Sequence, residues 1–151
     1  MSQSAGFTFF GSVRRNSVAL MSLLIAIVAL TQNSWRAERT EENRNIRYAA
    51  FEVLREATEL QLLVDHAHYD ADSGEGNPIV GWAMVQYMVD LSIVLPPEIG
   101  AESANLKQVW QAHFSALGAA NSDNSLQANE TITAAIQSLR QVVKKIIISL
   151  E

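Results

Sequence analysis

The chain has 151 residues, of which 48% are hydrophobic and 18% charged, so it is long and apolar enough for a folded domain and is not of disordered composition. It contains no cysteine, which excludes disulfides, a thiolate nucleophile and cysteine metal sites. Its net charge of −5 is unevenly distributed: after residue 35, nine Lys and Arg stand against sixteen Asp and Glu, a net charge of −7. This acidic balance argues against nucleic-acid binding.

An uncharged segment, residues 16–35, is the first predicted element and follows a short tail at 1–15. As a helix it would span about 30 Å, the thickness of the hydrocarbon layer of a membrane. Arg14 and Arg15 precede it, and Trp35 ends it like an interfacial anchor. Because no small-x-small cleavage site follows the apolar stretch, the pattern favours a transmembrane anchor over its rival, a cleaved signal peptide.

Small residues recur within this anchor in steps of three, four and three. Such a stripe lets helix backbones approach closely in lipid, where packing drives association. It predicts, besides lipid contact, a membrane-protein partner or a second copy bound through Ala19, Ser22, Ala26 and Ala29.

The orientation of the anchor follows from its flanking arginines. Arg14 and Arg15 are unopposed, whereas the four arginines between residues 36 and 47 are interspersed with glutamates. We therefore expect a cytoplasmic N-terminus and a periplasmic domain in a bacterial inner membrane.

Residues 36–45 are nearly all polar, with opposite charges three residues apart, which predicts a solvated helical stalk. An apolar heptad seam with steps of four and three then begins the folded region, residues 46–151. Phe51, Leu54 and Leu63 are expected to widen this seam into the core face of a bundle. The seam consists of Ile46, Ala50, Val53, Ala57, Leu60, Val64 and Ala67.

Three more helices are predicted. Asn77 and Pro78 are a capping signal for the second, which runs to Leu95 and stops at two prolines. The third covers about residues 98–117, and the fourth carries apolar residues in steps of four and three up to Leu150. The predicted fold is all-α: a single N-terminal transmembrane helix followed by an antiparallel up-down four-helix bundle.

The second helix is apolar almost all round and is either a core helix or a second membrane span. Asp90 makes the span costly, since an ionised carboxylate near the middle of a bilayer costs about 2.5–3.5 kcal/mol. As a core residue, Asp90 would join Gln86 in a small buried polar network. Trp82 and Trp110, on neighbouring helices, would pack in the core or line a pocket beside this pair.

The corner between the first two helices reads "DHAHYDADSGEGNP" and resembles a metal site at first sight. On a helix, His66 and His68 point about 200° apart and cannot share an ion. The run from Asp70 through Asp72 begins like a calcium loop, but glycines occupy later ligand positions. We therefore predict no metal site, and a bundle tip that contacts a partner through His66, His68, Asp70 and Asp72.

The sequence carries no phosphate-binding loop and no hydrolase or metalloprotease motif, so no catalytic residue and no cofactor is predicted. In arrangement, though not in motif, the chain resembles the membrane-anchored helical-bundle sensory domains of bacterial receptors, which implies a place and a shape. Their second span and cytoplasmic output have no counterpart among the predicted elements. We expect a non-enzymatic interaction or scaffold subunit of a membrane complex. The alternative is a membrane-anchored small-ligand sensor with a pocket near Trp82, Asp90 and Trp110.

Overall fold

A computed structural model describes residues 16–70, 74–117 and 122–150, and every regular element within these ranges is helical. For this part of the chain the all-α prediction is confirmed. The chain divides into two compact units, Met1–Glu42 and Asn43–Glu151. The elements are α1 (Ser17–Tyr69), α2 (Pro78–Leu91), a 3-10 turn (Ser92–Val94), α3 (Pro97–Leu117) and α4 (Asp123–Ser149).

The heptad seam of α1 faces the core of the second unit, as its spacing predicts. Ile46 packs only at the margin of the core, and Phe51 is 55% exposed, so the expectation that Phe51 widens the core face is wrong. At 100° per residue, Phe51 points about 160° away from the seam residue Val53. The buried seam positions are Ala50, Val53, Ala57, Leu60, Val64 and Ala67.

Two glycines in the connection after α1 allow the chain to turn back against the helix. Gly74 has a φ of 73°, a left-handed conformation that costs glycine little. Gly76 lies so close to the backbone of Ala67 that a β-carbon at this position would overlap it. The connection therefore packs directly on the last turns of α1.

Helix α2 begins at the predicted cap, where the Asn77 side chain accepts a hydrogen bond from the backbone N–H of Ile79 at 2.9 Å. It ends earlier than predicted, at Leu91, and continues as the 3-10 turn. Leu95 has an extended backbone because Pro96 disfavours the helical conformation of the residue before it. The helix therefore tightens into its last turn before the two prolines.

Side-chain contacts connect neighbouring helices of the second unit. Residues further along α1 contact residues earlier in α4 and its C-terminal cap, Leu150. The order is Arg47 with Leu150, Gln61 with Thr133, Asp65 with Asn129 and His68 with Ser125. The other pairs of neighbouring helices are joined by hydrogen bonds between Glu52 and Tyr87, Gln86 and Lys107, and Glu102 and Ser138.

All four helices contribute fully buried side chains to one apolar core. Each such aliphatic side chain contributes about 1.5–3 kcal/mol relative to the same group left in water. The largest fully buried side chain in the described part of the chain is that of Trp110. Besides the α1 seam, the core includes Val85 and Met88 from α2, Ile99 and Leu106 from α3, and Ile132, Ile136, Leu139 and Val143 from α4.

Candidate interaction surface

Two of the predicted tip residues, His66 and Asp70, lie beside an open groove at the C-terminal end of α1. The groove has a volume of about 280 Å³ and is lined by Leu62, Asp65, His66, Tyr69 and Asp70. These residues share one face of the helix because they are spaced by three, four, seven and eight from the first. With an aromatic wall and two carboxylates, the groove suits a positively charged side chain of a partner.

Hydrogen bonds within the chain hold the groove's polar groups in place. The carboxylate of Asp65 accepts from Gln61 at 2.9 Å and from Asn129 at 3.5 Å. His66 Nε2 lies 3.1 Å from a carboxylate oxygen of Glu75, in the connection after α1. Asp72 lies outside the described residues.

His68 is buried, so the prediction that it contacts a partner at the surface is wrong. Its Nδ1 lies 2.7 Å from the Oγ of Ser125, and that hydroxyl donates to the backbone carbonyl of Leu117 at 2.9 Å. Because the Ser125 proton is engaged there, the hydrogen-bond network assigns the His68 proton to Nδ1. His68 thus fastens the end of α1 to the start of α4 and to the last carbonyl of α3.

The His68–Ser125 pair is not arranged for nucleophilic catalysis. In a catalytic pair the histidine accepts the hydroxyl proton, whereas here Ser125 gives it to a carbonyl group. Ser125 is also fully buried, out of reach of a substrate in this conformation. Within residues 16–70, 74–117 and 122–150, no group of three or more His, Asp or Glu side chains is placed to hold a metal ion.

The predicted buried polar pair lies instead at the surface. Gln86 and Asp90 are exposed, and Gln86 donates to Asp90 at 2.8 Å and accepts from Lys107 at 2.8 Å. The burial part of that prediction is wrong because α2, apolar on nearly every side, turns Val85 and Met88 inward.

Trp110, the other predicted pocket residue, is fully buried on α3. Its ring lies against the backbone of Gly81, at a separation that leaves no room for a β-carbon. Trp82 contacts Phe114 edge to face at 5.6 Å between ring centroids, and Phe114 stacks on Trp110 at 6.3 Å. The two indoles therefore bracket one phenylalanine in a packed aromatic cluster, and Trp110 presents no open face to a ligand.

A charged cluster on α1 was not predicted from the sequence. The guanidinium of Arg55 lies 2.6 Å from Glu52, 2.7 Å from Glu56 and 2.8 Å from Glu59. The signal was present in the spacing, since three glutamates lie three before, one after and four after one arginine. Three carboxylates against one guanidinium leave this cluster with a net charge of −2.

The members of this cluster titrate differently because hydrogen bonding has the largest effect on the pKa values of Glu52 and Arg55, and burial on that of Glu56. The hydrogen bond from Arg55 lowers the pKa of Glu52 below its ordinary value, and the same bond raises the pKa of Arg55. Burial raises the pKa of Glu56, whose side chain is only 9% exposed, against the attraction of Arg55. Burial also raises the pKa of Tyr87, whose hydroxyl donates to Glu52.

In the first unit, the stripe of small residues lies on the N-terminal part of α1, all of it exposed: Ala19, Ser22, Ala26 and Ala29. Trp35 follows, with the guanidinium of Arg39 4.7 Å from the centroid of its ring. By length and composition, α1 is apolar enough near its N-terminal end to cross a membrane.

No family model matches the chain, and comparisons with curated proteins and with solved structures find no significant match.

Proposed function

We propose that the chain is a non-enzymatic, single-pass membrane protein whose helical domain is an interaction or scaffold subunit of a membrane complex. The observation that carries the anchor is the start of α1, where Leu20, Leu24 and Ile25 are more than half exposed. Leaving such side chains in water forgoes about 1.5–3 kcal/mol each, and a lipid bilayer removes that cost.

The same proposal extends to the fold of residues 46–151, an antiparallel up-down four-helix bundle. The order of the contacts supports this arrangement. As the contacting residue of α1 advances from Arg47 to His68, its partner moves back from Leu150, the C-terminal cap of α4, to Ser125. The links from α1 to α2, α2 to α3 and α3 to α4 fit neighbours joined by short connections.

The interaction role is supported by the acidic groove at the end of α1. Asp65 and Asp70 flank Tyr69 there, so a lysine or arginine from a partner would meet both an anionic and an aromatic group. Within the membrane, the small-residue stripe would provide a second contact, with another membrane protein or with a second copy.

The proposed location is a bacterial inner membrane, with a cytoplasmic N-terminus and a periplasmic helical domain. The support is the unopposed pair Arg14 and Arg15 before the anchor. Reporter fusions at the N-terminus, at residue 75 and at residue 151 test this arrangement. Residues 75 and 151 should report the same side and the N-terminus the other; opposite results for 75 and 151 would mean that α2 spans the membrane.

The experiment that tests the function is purification of the full chain from its native membrane, with identification of what accompanies it. We expect the chain to resist an alkaline wash of the membranes and to elute with a discrete partner or oligomer. Ala26→Leu should weaken association made in the membrane, because the added side chain holds two helix backbones apart. Val28→Leu, on the opposite side of the helix, is the matched control and should have no effect.

A further inference from the structure

Two outer helix faces at one end of the second unit carry large apolar side chains that are exposed. On α1, Tyr48 is 77% and Phe51 is 55% exposed, and on α4, Ile148 is 69% exposed. Single exposed apolar residues are ordinary, but a side chain of this size on each of two helix faces marks a surface that burial would stabilise.

Charged groups of opposite sign flank these apolar residues. On α1, Glu52 and Arg55 belong to the cluster of net charge −2 described above. On α4, Arg140 and Lys144 line, with two glutamines, a concave surface of about 270 Å³. We call Tyr48, Phe51, Glu52 and Arg55 the α1 outer face, and Arg140, Gln141, Lys144 and Ile148 the α4 outer face.

The two outer faces lie at the same level of the second unit. The contacts of Arg47 with Leu150 and of Gln61 with Thr133 set the level of α4 against α1. Interpolated linearly between those two contacts, Ile148 is level with about residue 49 and Lys144 with about residue 52. An apolar residue is thus level with Tyr48, and a lysine is level with the carboxylate of Glu52.

We propose that the α1 outer face of one copy docks against the α4 outer face of a second copy standing beside it in the same orientation. This inference rests on the proposed function, because anchoring in one membrane gives neighbouring copies a common orientation. Without any shift along the helices, the contact brings Ile148 to Tyr48 and Lys144 to Glu52. Arg140 is then level with Arg55, whose charge is offset by three glutamates. It is a head-to-tail contact, which repeats into a row or closes into a ring.

A symmetric contact through two α1 outer faces fits the charges less well. It would bring two clusters of net charge −2 together, and like charges at an interface disfavour that pairing. The α4 outer face brings Arg140 and Lys144 to the same cluster. Charge therefore selects the head-to-tail arrangement.

Because the chain has no cysteine, cross-linking can test this contact without background. Two differently tagged full-length chains, one with Tyr48→Cys and one with Ile148→Cys, are produced together in membranes and treated with a short bifunctional maleimide. We expect a cross-linked product that carries both tags, and no product from either variant alone. A product from Tyr48→Cys alone would show a symmetric contact and overturn the inference, as would the lack of any mixed product.

Charge reversal tests the pairing in the same assay. Lys144→Glu in the Ile148→Cys chain should reduce the mixed product about fivefold, as expected for one favourable charge pair made repulsive. Glu52→Lys in the other chain should then restore it. Lys107→Glu is the matched control and should leave the mixed product unchanged; an equal loss there, or no loss with Lys144→Glu, would overturn the inference.

Glu52 also binds Arg55, so helix content is measured for each variant by circular dichroism. If Glu52→Lys unfolds the chain, Glu52→Gln replaces it and should give a partial loss by itself. Fractionation of the same membranes separates the two proposals. A chain that stays in washed membranes without mixed product refutes only this contact, whereas a chain released by the wash refutes the anchor.

Discussion

At the scale of single residues, Gly81 shows that a residue without a side chain can determine how a core packs. Its backbone is where the ring of Trp110 rests, and the ring fills the space that a β-carbon would need. A glycine in the interior of a helix weakens it by about 1 kcal/mol relative to alanine. The close packing of the largest fully buried side chain is the compensating gain.

We therefore expect Gly81→Ala to lower the free energy of unfolding by about 1–3 kcal/mol, the usual cost of overpacking a filled core. Thermal unfolding of the full chain in mild detergent, followed by circular dichroism, measures it. Gly100→Ala is the control, because the nearest atom to a β-carbon there is the Ser92 Oγ at 3.8 Å. That change should be neutral or stabilising, and equal losses at the two positions would contradict the packing argument.

Glu56 gives a prediction about pH. Burial raises its pKa in the folded chain above the ordinary value of 4.5, so the folded chain holds the proton more tightly than the unfolded chain does. Stability from this group is therefore present at low pH and is lost as the pH rises from 4.5 through the raised pKa. The effect of Glu52, with its lowered pKa, has the opposite sign and is lost as the pH falls.

Replacing Glu56 with glutamine removes the contribution of this residue to the pH dependence of stability. Relative to the unchanged chain, Glu56→Gln should raise the unfolding midpoint more at pH 7 than at pH 4, because burial costs an ionised carboxylate much more than a neutral group. Midpoints measured across that range, with Glu130→Gln at an exposed position of α4 as the control, test it. A difference between Glu56→Gln and the unchanged chain that is constant with pH would contradict the assignment.

At the scale of elements, α2 depends on its N-terminal cap, because little else in its apolar sequence defines where the helix begins. Asn77 satisfies one of the free N–H groups at its start, that of Ile79, and Pro78 occupies the first turn without needing a donor. Asn77→Ala should destabilise the fold by about 1 kcal/mol, as loss of an N-cap does. Asn77→Asp keeps an acceptor oxygen and should be nearly neutral; chemical denaturation distinguishes the two, and equal losses would sink the capping argument.

The contrast between α1 and α2 explains how much could be predicted from the sequence. In α1 the steps of four and three fix which side of the helix is apolar, and the seam from Ala50 to Ala67 is buried as predicted. Apolar residues of α2 occur on nearly every side of the helix, so its sequence does not indicate which side is buried. Packing against the neighbouring helices determines that Val85 is buried and Asp90 exposed. The prediction that Asp90 lies in the core rests on its position in a helix that is apolar on nearly every side, and such a helix does not indicate which side faces inward.

The groove at the end of α1 was not predicted, and only part of the predicted tip lines it, for a related reason. His66 and Asp70 line the groove, whereas His68 is turned inward to Ser125. On one helix, residues two apart point to different sides, so one of two such histidines is directed toward the core. The contact between His68 and Ser125 could not be predicted from the sequence, because the packing of α1 against the start of α4 brings the two residues together.

At the scale of the whole chain, the boundary between Glu42 and Asn43 separates a unit with exposed apolar side chains from a unit with a buried core. Among the residues that the structure describes, the core residues, from Ala49 to Val143, all belong to the second unit. The longest run of exposed large apolar side chains, from Val18 to Leu30, belongs to the first. Folding of the second unit and attachment to lipid should therefore be separable by cutting the chain at this boundary.

We expect a fragment that begins at Asn43 to remain in solution, to be mostly helical and to unfold cooperatively, because it retains every residue of the core. The full chain should instead sediment with membranes and resist an alkaline wash. A full chain with Ile25→Arg should sediment less well, because a charge at the centre of a span costs about 2.5–3.5 kcal/mol on the insertion scale. Thr40→Arg, outside the predicted anchor, adds the same charge and should not change sedimentation. A fragment that aggregates or melts without cooperativity would show that residues 16–42 are needed for folding as well as for attachment.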